Sequence, residues 1–321
     1  MARFDLSPDQ LASFNPDISA PSDFDEFWKS TLASAGSHDL SATFTPVDVL
    51  LPEVKVYDVR FAGYAGQPVA GWFLTPASGG GPRPCVVHYI GYGGGRGRPH
   101  EWLLWPAAGY SVLVMDSRGQ GDGDTEDVPG VGVQHHGLIT RGVLNRDDYY
   151  YRRLFTDAVR AVDAALTRPE VDPSRVVVAG ASQGGAISQA VAGLRSDLAG
   201  AIIDVPFLTH FRRATEITDA YPYRELSDML QTNRDRVDDV FATLSYFDGL
   251  HFAARGTAPA LYTVGLMDDV CPPSTVYAAY NRYAGRKQIQ VWPYNGHESG
   301  ATFQPPVNLR WLRSLLTPAG S

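Results

Sequence analysis

The sequence predicts an α/β fold in which helices flank a mostly parallel central sheet, and three observations carry this prediction. Short apolar runs bounded by Gly, Pro and Asp recur from residue 84 onward. Stretches with helical periodicity alternate with these runs, as in successive βαβ units. Two stretches of alternating polarity precede them and indicate an antiparallel hairpin. Because short apolar runs suit strands buried on both faces, the later strands are expected to be parallel.

The elements follow in chain order. Residues 1–50 are predicted to form a helical N-terminal extension, because aromatic and apolar residues recur at helical spacing between Asp23 and Ala35. The strands are expected at Val54–Phe61, Pro68–Leu74, Cys85–Ile90, Ser111–Met115, Arg175–Ala179, Ala201–Ile203, Ala258–Val264 and Gln288–Trp292. The later helices are expected at Tyr150–Thr167, Gly185–Leu194, Val276–Tyr283 and Val307–Leu316.

The first of these later helices has an apolar face, and its charged residues Arg153, Asp157 and Arg160 fall on the opposite side. Two stretches lie outside the alternation: residues 117–147 are rich in Gly, Asp and His, and residues 205–257 hold helical pieces between two strands. Stretches of this length within a domain are usually functional or bind partners. We therefore predict one domain over residues 1–321, with an insertion loop at 117–147 and a helical insertion at 205–257.

Composition narrows the possible functions. The chain has 321 residues, of which 44% are hydrophobic, and a formal net charge of −8. The acidic balance argues against a nucleic-acid partner, which requires a basic surface. Two cysteines, Cys85 and Cys271, cannot form a disulfide framework. The N-terminus lacks the apolar region of a signal peptide and no apolar run is long enough to span a membrane, so we expect a cytoplasmic protein without a membrane partner.

The strongest local signal is the sequence Gly180-Ala181-Ser182-Gln183-Gly184, which lies between a predicted strand and a predicted helix. This context is typical of a nucleophile elbow, in which glycines allow strand and helix to approach and a tight turn exposes the serine hydroxyl. The alternative interpretation is a structural or phosphate-binding glycine-rich turn.

A serine nucleophile requires a base and an orienting carboxylate, and enzymes with this elbow carry them in the order serine, acid, histidine. His297 is the histidine that follows Ser182 in a loop after the last predicted strand. His88 is expected to be a core residue, and the pair His135 and His136 lacks further ligands that would indicate a metal site. His210 and His251 precede the candidate acid and break the order.

Asp268 follows the next-to-last strand, so its loop is placed to meet that of His297. Asp269 and Asp204 are alternatives, although Asp204 follows a strand one position too early. The backbone N–H groups of Tyr92, in a glycine-rich loop after an early strand, and of Gln183 are the candidate donors to an oxyanion. For the glycines of that loop, simple flexibility is the alternative interpretation.

Together, Tyr89-Ile90-Gly91-Tyr92, Arg118-Gly119-Gln120, Gly180–Gly184 and His297-Glu298 resemble the motifs of carbohydrate esterase family seven, the acetyl xylan esterases and cephalosporin C deacetylases of the α/β-hydrolase superfamily. The resemblance extends over nearly the whole chain. It implies that Ser182 is the nucleophile, His297 the base and Asp268, rather than Asp269, the acid, with Tyr92 and Gln183 forming the oxyanion hole and no cofactor. It further implies removal of acetyl groups from xylo-oligosaccharides, cephalosporin C and small esters.

The resemblance also implies a cytoplasmic hexamer, a trimer of dimers, with residues 117–147 as an interface insertion. Arg118 and Glu298 are expected to brace loops rather than contact substrate. Trp102, Trp105 and Phe207 are expected in the core, with pocket lining as the alternative. Two other functions stay open: a different carboxylesterase or peptidase of the same fold, and a non-catalytic binding protein on that fold.

Overall fold

The centre of the fold is a mixed sheet of nine strands in the order β1-β2-β3-β5-β4-β6-β7-β8-β9, counted over residues 3–128 and 137–317, which this computed structural model describes. The strands from β5 to β9 pair in parallel, and β1, β2 and β3 extend the sheet by antiparallel pairing. Their bounds are β1 Thr43–Val47, β2 Val54–Ala62, β3 Pro68–Pro76, β4 Arg83–Tyr89, β5 Ser111–Met115, β6 Val171–Ala181, β7 Gly200–Asp204, β8 Ala260–Gly265 and β9 Lys287–Trp292.

Helices cover both faces of this sheet. Their bounds are α1 Pro8–Ser13, α2 Phe24–Gly36, α3 Leu104–Ala107, α4 Tyr150–Leu166, α5 Gln183–Leu194, α6 Phe211–Ile217, α7 Tyr223–Thr232, α8 Val237–Leu244, α9 Gly249–Ala253, α10 Pro273–Arg282 and α11 Gln304–Leu316. Alternate residues of one strand enter opposite cores: Val176 and Val178 of β6 face the larger core, and Val177 and Ala179 the smaller one. Burial on both faces explains the apolar strand runs.

Each predicted strand and helix after residue 50 is present, with ends shifted by a few residues, and the parallel α/β prediction is confirmed. One expectation for the N-terminal extension is wrong. Residues 43–47 form β1, which pairs with β2 and adds a strand to the edge of the sheet. One proline, Pro46, and two threonines hide this strand in the sequence, because an edge strand needs no apolar run. The stretch 205–257 contains α6 to α9, as predicted.

The charged face of α4 does not lie at the surface. Arg153, Asp157 and Arg160 are all buried, although they fall opposite the helix's apolar face. The cause lies far away in sequence: Arg153 forms ion pairs with Asp127, and Asp157 with Arg118. A charged helix face therefore enters the protein interior because the loop that covers it supplies opposite charges.

In the two described ranges, no helix is long and apolar enough to cross a membrane. His135 and His136 lie outside the described residues.

Because the carboxyl ends of parallel strands meet at one edge of a sheet, the loops after β4, β6, β8 and β9 converge there.

Candidate active site

Ser182 lies in the turn between β6 and α5, with φ 57° and ψ −118°, a conformation that few non-glycine residues adopt. Its N–H donates to the carbonyl of Asp204, and its own carbonyl accepts from the N–H of Phe207, so the end of β7 and the segment after it hold the turn. A Cβ on Gly184 would lie 2.2 Å from the carbonyl oxygen of Tyr89. Only glycine therefore permits this close packing of helix and strand.

The three predicted catalytic side chains form a continuous line of hydrogen bonds. His297 Nε2 lies 3.0 Å from Ser182 Oγ, and His297 Nδ1 lies 2.9 Å from Asp268 Oδ2. Asp268 is fully buried, whereas the His297 side chain remains 30% exposed. This order of serine, imidazole and buried carboxylate is that of a nucleophile, its general base and the group that orients the base.

Backbone contacts fix the orientation of the acid. Asp268 Oδ1 accepts two hydrogen bonds, each 2.8 Å long, from the N–H groups of Val270 and Cys271. The second oxygen is thereby turned toward His297. Of the two alternatives, Asp269 is not the partner of Nδ1, and Asp204 instead accepts a 3.4 Å bond from Asn308.

The loop after β4 carries Tyr92, and Gln183 is the first residue of α5. The first N–H groups of a helix have no partner within the helix, which leaves that of Gln183 available to an oxyanion. The Gln183 side chain binds the Tyr92 loop directly, because its Nε2 donates to the carbonyl of Ile90 over 3.2 Å. The turn after the nucleophile and the oxyanion loop are thus held together.

Gln120 strengthens this connection. Its Nε2 donates to Gln183 Oε1 over 3.0 Å, and its Oε1 accepts from the N–H of Gly93 over 2.7 Å. The buried side-chain amide of Gln120 therefore contacts both Gln183 and the loop that carries Tyr92. Gly119, with φ 64°, provides the turn that brings Gln120 to this position.

Arg118 lies beneath this loop, fully buried, and does not reach the three catalytic side chains. Its Nε and Nη2 donate to the two oxygens of Asp157 over 2.6 and 2.9 Å, and its Nη1 donates to Asp127 over 3.2 Å. Burial opposes the charged form, but the adjacent carboxylates outweigh it and raise the pKa of Arg118 above its ordinary value. The geometry gives Arg118 a bracing position.

Glu225 contacts the side chain of Tyr92, and sequence reasoning missed this contact. It lies on α7 of the helical insertion, and its Oε2 accepts a 2.8 Å bond from the Tyr92 hydroxyl. That hydroxyl also accepts from the N–H groups of Leu138 and Ile139, over 2.6 and 3.2 Å. Both insertions therefore hold the Tyr92 side chain. The partners are 133 residues apart, so no local pattern marks them.

The remaining candidates lie in varied surroundings. Glu298 is exposed and accepts bonds from the Asn295 side chain and the N–H of Gly296, within its own loop. Burial lowers the pKa of His88 to about 4, and its ring lies against Trp102. Phe207 is buried, with its ring 6.0 Å from that of Tyr92. Trp102 and Trp105 line a cavity next to His297.

Comparison with known proteins identifies the family. The model of the acetyl xylan esterase (AXE1) family matches residues 1–315. Acetyl esterase Axe7A of Xylanibacter ruminicola is 28% identical over 300 residues, which cover 91% of this chain and 66% of that protein. The chain thus spans slightly less than two thirds of the length of this curated relative.

Two solved structures match over nearly their full lengths. Acetyl xylan esterase from Paenibacillus sp. R4 is 38% identical, with a TM-score of 0.93, and covers 97% of this chain and 100% of its own. Acetyl xylan esterase 1 from Thermoanaerobacterium sp. JW/SL YS485 is 32% identical, with a TM-score of 0.91, and covers 98% and 100%. The fold is accordingly that of the α/β-hydrolases, and the chain belongs to the acetyl xylan esterase family of carboxylic ester hydrolases.

Proposed function

We propose that this protein is a serine esterase that removes acetyl groups from O-acetylated xylo-oligosaccharides, cephalosporin C and small acetyl esters. The observation that carries the proposal is the hydrogen-bonded line from Ser182 through His297 to Asp268, with distances of 3.0 and 2.9 Å. Membership of the acetyl xylan esterase family supports the acetyl group as the acyl part.

In the first half-reaction, Ser182 Oγ attacks the acetyl carbonyl carbon while His297 Nε2 takes the hydroxyl proton. Asp268 stabilises the imidazolium that forms. The N–H groups of Tyr92 and Gln183 donate to the developing oxyanion. The C–O bond to the alcohol then breaks, and the imidazolium returns its proton to the leaving oxygen. The product is an acetyl ester of Ser182.

In the second half-reaction, His297 takes a proton from water, whose oxygen attacks the acetyl carbon. Collapse of the tetrahedral intermediate breaks the bond to Ser182 and releases acetate, and the serine oxygen regains its proton from His297. These reaction steps require neither a metal ion nor an organic cofactor.

The test combines labelling and turnover. A fluorophosphonate probe should label Ser182, and Ser182→Ala should lower kcat for p-nitrophenyl acetate by roughly 10⁴–10⁶-fold with an unchanged Tm. Ser188→Ala, on the same helix, is the matched control and should retain activity. Near-wild-type turnover in Ser182→Ala would overturn the proposal.

A series of acyl chain lengths and a peptide anilide separate this function from its alternatives. Acetyl esters should be cleaved fastest, with kcat/KM falling as the chain lengthens. A preference for long acyl chains or for the anilide would favour another esterase or a peptidase. Absence of both labelling and ester turnover would favour a binding protein.

We also propose a cytoplasmic homo-hexamer, a trimer of dimers, in which residues 117–147 form part of the interface. Two apolar side chains within that stretch, Val128 and Leu144, are 50% and 47% exposed. Contact with another subunit at this insertion would remove the apolar area of these two side chains from water. Light scattering on the full chain measures the mass, and a stable monomer would contradict the proposal.

A further inference from the structure

A cavity of about 290 Å³ lies next to the catalytic histidine. Its wall includes His297, the two residues after it, and Ala181, which directly precedes the nucleophile. The opposite wall comes from α3 and its preceding turn and from α11. The volume is at the small end of the roughly 300–1,000 Å³ typical of sites for small organic ligands.

The proposed reaction determines which part of the substrate lies nearest to this cavity. His297 Nε2 must be within hydrogen-bond distance of the leaving oxygen in order to protonate it. The acetyl carbonyl, in contrast, points to the amides of Tyr92 and Gln183. The alcohol part therefore lies beside the imidazole of His297, which is itself part of the cavity wall.

The cavity has polar groups suited to hydroxyl recognition. Asp204, at the end of β7, and Asn308, on α11, both line it, and Asn308 Nδ2 lies 3.4 Å from Asp204 Oδ2. Asp204 Oδ1 and His88 Nδ1 are buried, and neither has a hydrogen-bond partner within residues 3–128 and 137–317. Leaving a buried polar atom unsatisfied costs about 1–3 kcal/mol, so two such atoms on residues of the cavity wall mark a region whose polar groups the protein itself does not fully satisfy.

The same cavity has an aromatic wall formed by Trp102, Trp105 and the ring of His88. The His88 and Trp102 ring centroids are 4.9 Å apart. Small-molecule sites combine an apolar wall with a few fixed polar groups. A pyranose ring suits both parts of such a site. Its C–H faces pack on aromatic rings, and its hydroxyl groups form hydrogen bonds with polar side chains.

We propose that this cavity binds a pyranose ring of the acetylated alcohol, with Asp204 and Asn308 as hydrogen-bond partners of its hydroxyl groups. The inference rests on the proposed esterase function and adds a specificity site for the alcohol half of the substrate. Burial raises the pKa of Asp204 to about 7, so near neutral pH its carboxyl group is available both to donate and to accept.

The first experiment measures Asn308→Leu on two substrates. KM for acetylated xylotriose should rise about tenfold, the effect of losing roughly 1.4 kcal/mol of hydrogen bonding. The kcat/KM for p-nitrophenyl acetate should stay within about twofold, because its leaving group has no sugar hydroxyls. Arg310→Leu, an exposed position on the same helix, is the control and should leave both substrates unchanged.

The first measurement of the second experiment uses the wild-type protein and does not depend on a variant that folds. Xylotriose without acetyl groups should inhibit p-nitrophenyl acetate hydrolysis, and Asp204→Asn should weaken this inhibition. An unchanged KM for acetylated xylotriose in Asn308→Leu, or no inhibition by xylotriose up to its solubility limit, would overturn the sugar site. In either case fluorophosphonate labelling of Ser182 would leave the esterase function standing, whereas loss of labelling would remove its basis.

Discussion

The molecule contains two clusters in which aspartate carboxylates bind a nitrogen-containing side chain, and they differ in access to water. In the catalytic line, Asp268 is buried but the His297 side chain is 30% exposed. In the second cluster, Arg118 and its partners Asp127 and Asp157 are all at most 1% exposed. In both clusters an aspartate carboxylate lies within hydrogen-bond distance of a side-chain nitrogen, so this contact alone does not make a catalytic site.

The difference lies in what each nitrogen-containing side chain can do. Imidazole gains and loses a proton near neutral pH, and in the proposed reaction His297, whose side chain is 30% exposed, passes that proton to a substrate oxygen. Guanidinium is always charged in proteins and donates without accepting. The Arg118 cluster therefore serves as a fixed support below the loop that carries Gln120, and the predictions that follow test this division.

The largest effect on activity should come from the acid of the catalytic line. Asp268→Asn should lower kcat for p-nitrophenyl acetate by roughly 10⁴-fold, because an amide favours the wrong tautomer of His297. Thermal unfolding should change little. Asp269→Asn is the matched control, and an equal loss in that variant would mean that the neighbouring residue is the acid.

The second prediction concerns stability rather than chemistry. Arg118→Met leaves Asp157 buried without its bidentate partner and should lower the free energy of unfolding by about 3–5 kcal/mol. The kcat of the fraction that remains folded should stay near that of the wild type. Urea unfolding and active-site titration measure the two quantities.

Arg236→Met provides the comparison for that measurement, because Arg236 and Asp239 form an exposed ion pair. Exposed pairs contribute little, so this variant should have almost unchanged stability. If Arg118→Met instead abolished kcat while stability was retained, Arg118 would belong to the catalytic cluster, and the division between the two clusters would fail.

Glu225 is an intermediate case, a buried carboxyl group that titrates but does not contact the catalytic line. Burial raises its pKa from 4.5 to about 7, and the neighbouring ionisable groups are Asp228, Tyr92, Tyr149 and Tyr151. The folded protein then holds a proton that the unfolded chain releases above about pH 4.5. The free energy of unfolding therefore falls as pH rises from about 4.5 to 7.

Glu225→Gln removes this titration. The free energy of unfolding of the variant minus that of the wild type should therefore increase as the pH rises across the same interval, by about 1–2 kcal/mol after allowance for solvent screening. Urea unfolding at several pH values measures the slope. Glu216→Gln, at an exposed position on the neighbouring helix α6, should keep the wild-type slope. Equal slopes in wild type and Glu225→Gln would show that this carboxyl group does not titrate in that interval.

These cases also show what the sequence reveals. The strands β4 to β9, the elbow at Ser182 and the positions of Asp268 and His297 have local signals, because apolar runs, flanking glycines and chain order all depend on neighbouring residues. The contacts of Tyr92 with Glu225 and of Arg118 with Asp157 join residues 133 and 39 positions apart. Such pairs depend on how the insertions pack against the rest of the protein. From sequence alone, a charged residue is expected at the surface until its buried partner is known.

The smallest effect is expected at Glu298, which directly follows the catalytic base. Its carboxylate accepts from the Asn295 side chain and the N–H of Gly296, and the first of these bonds lowers the pKa of Glu298. Glu298→Gln retains an oxygen acceptor at an exposed position, so kcat/KM for p-nitrophenyl acetate should change by less than about threefold. Asn295→Ala removes the same loop contact without changing charge. If Glu298→Gln lost more than about tenfold while Asn295→Ala did not, the charge itself would assist His297, and an exposed carboxylate would join the catalytic cluster.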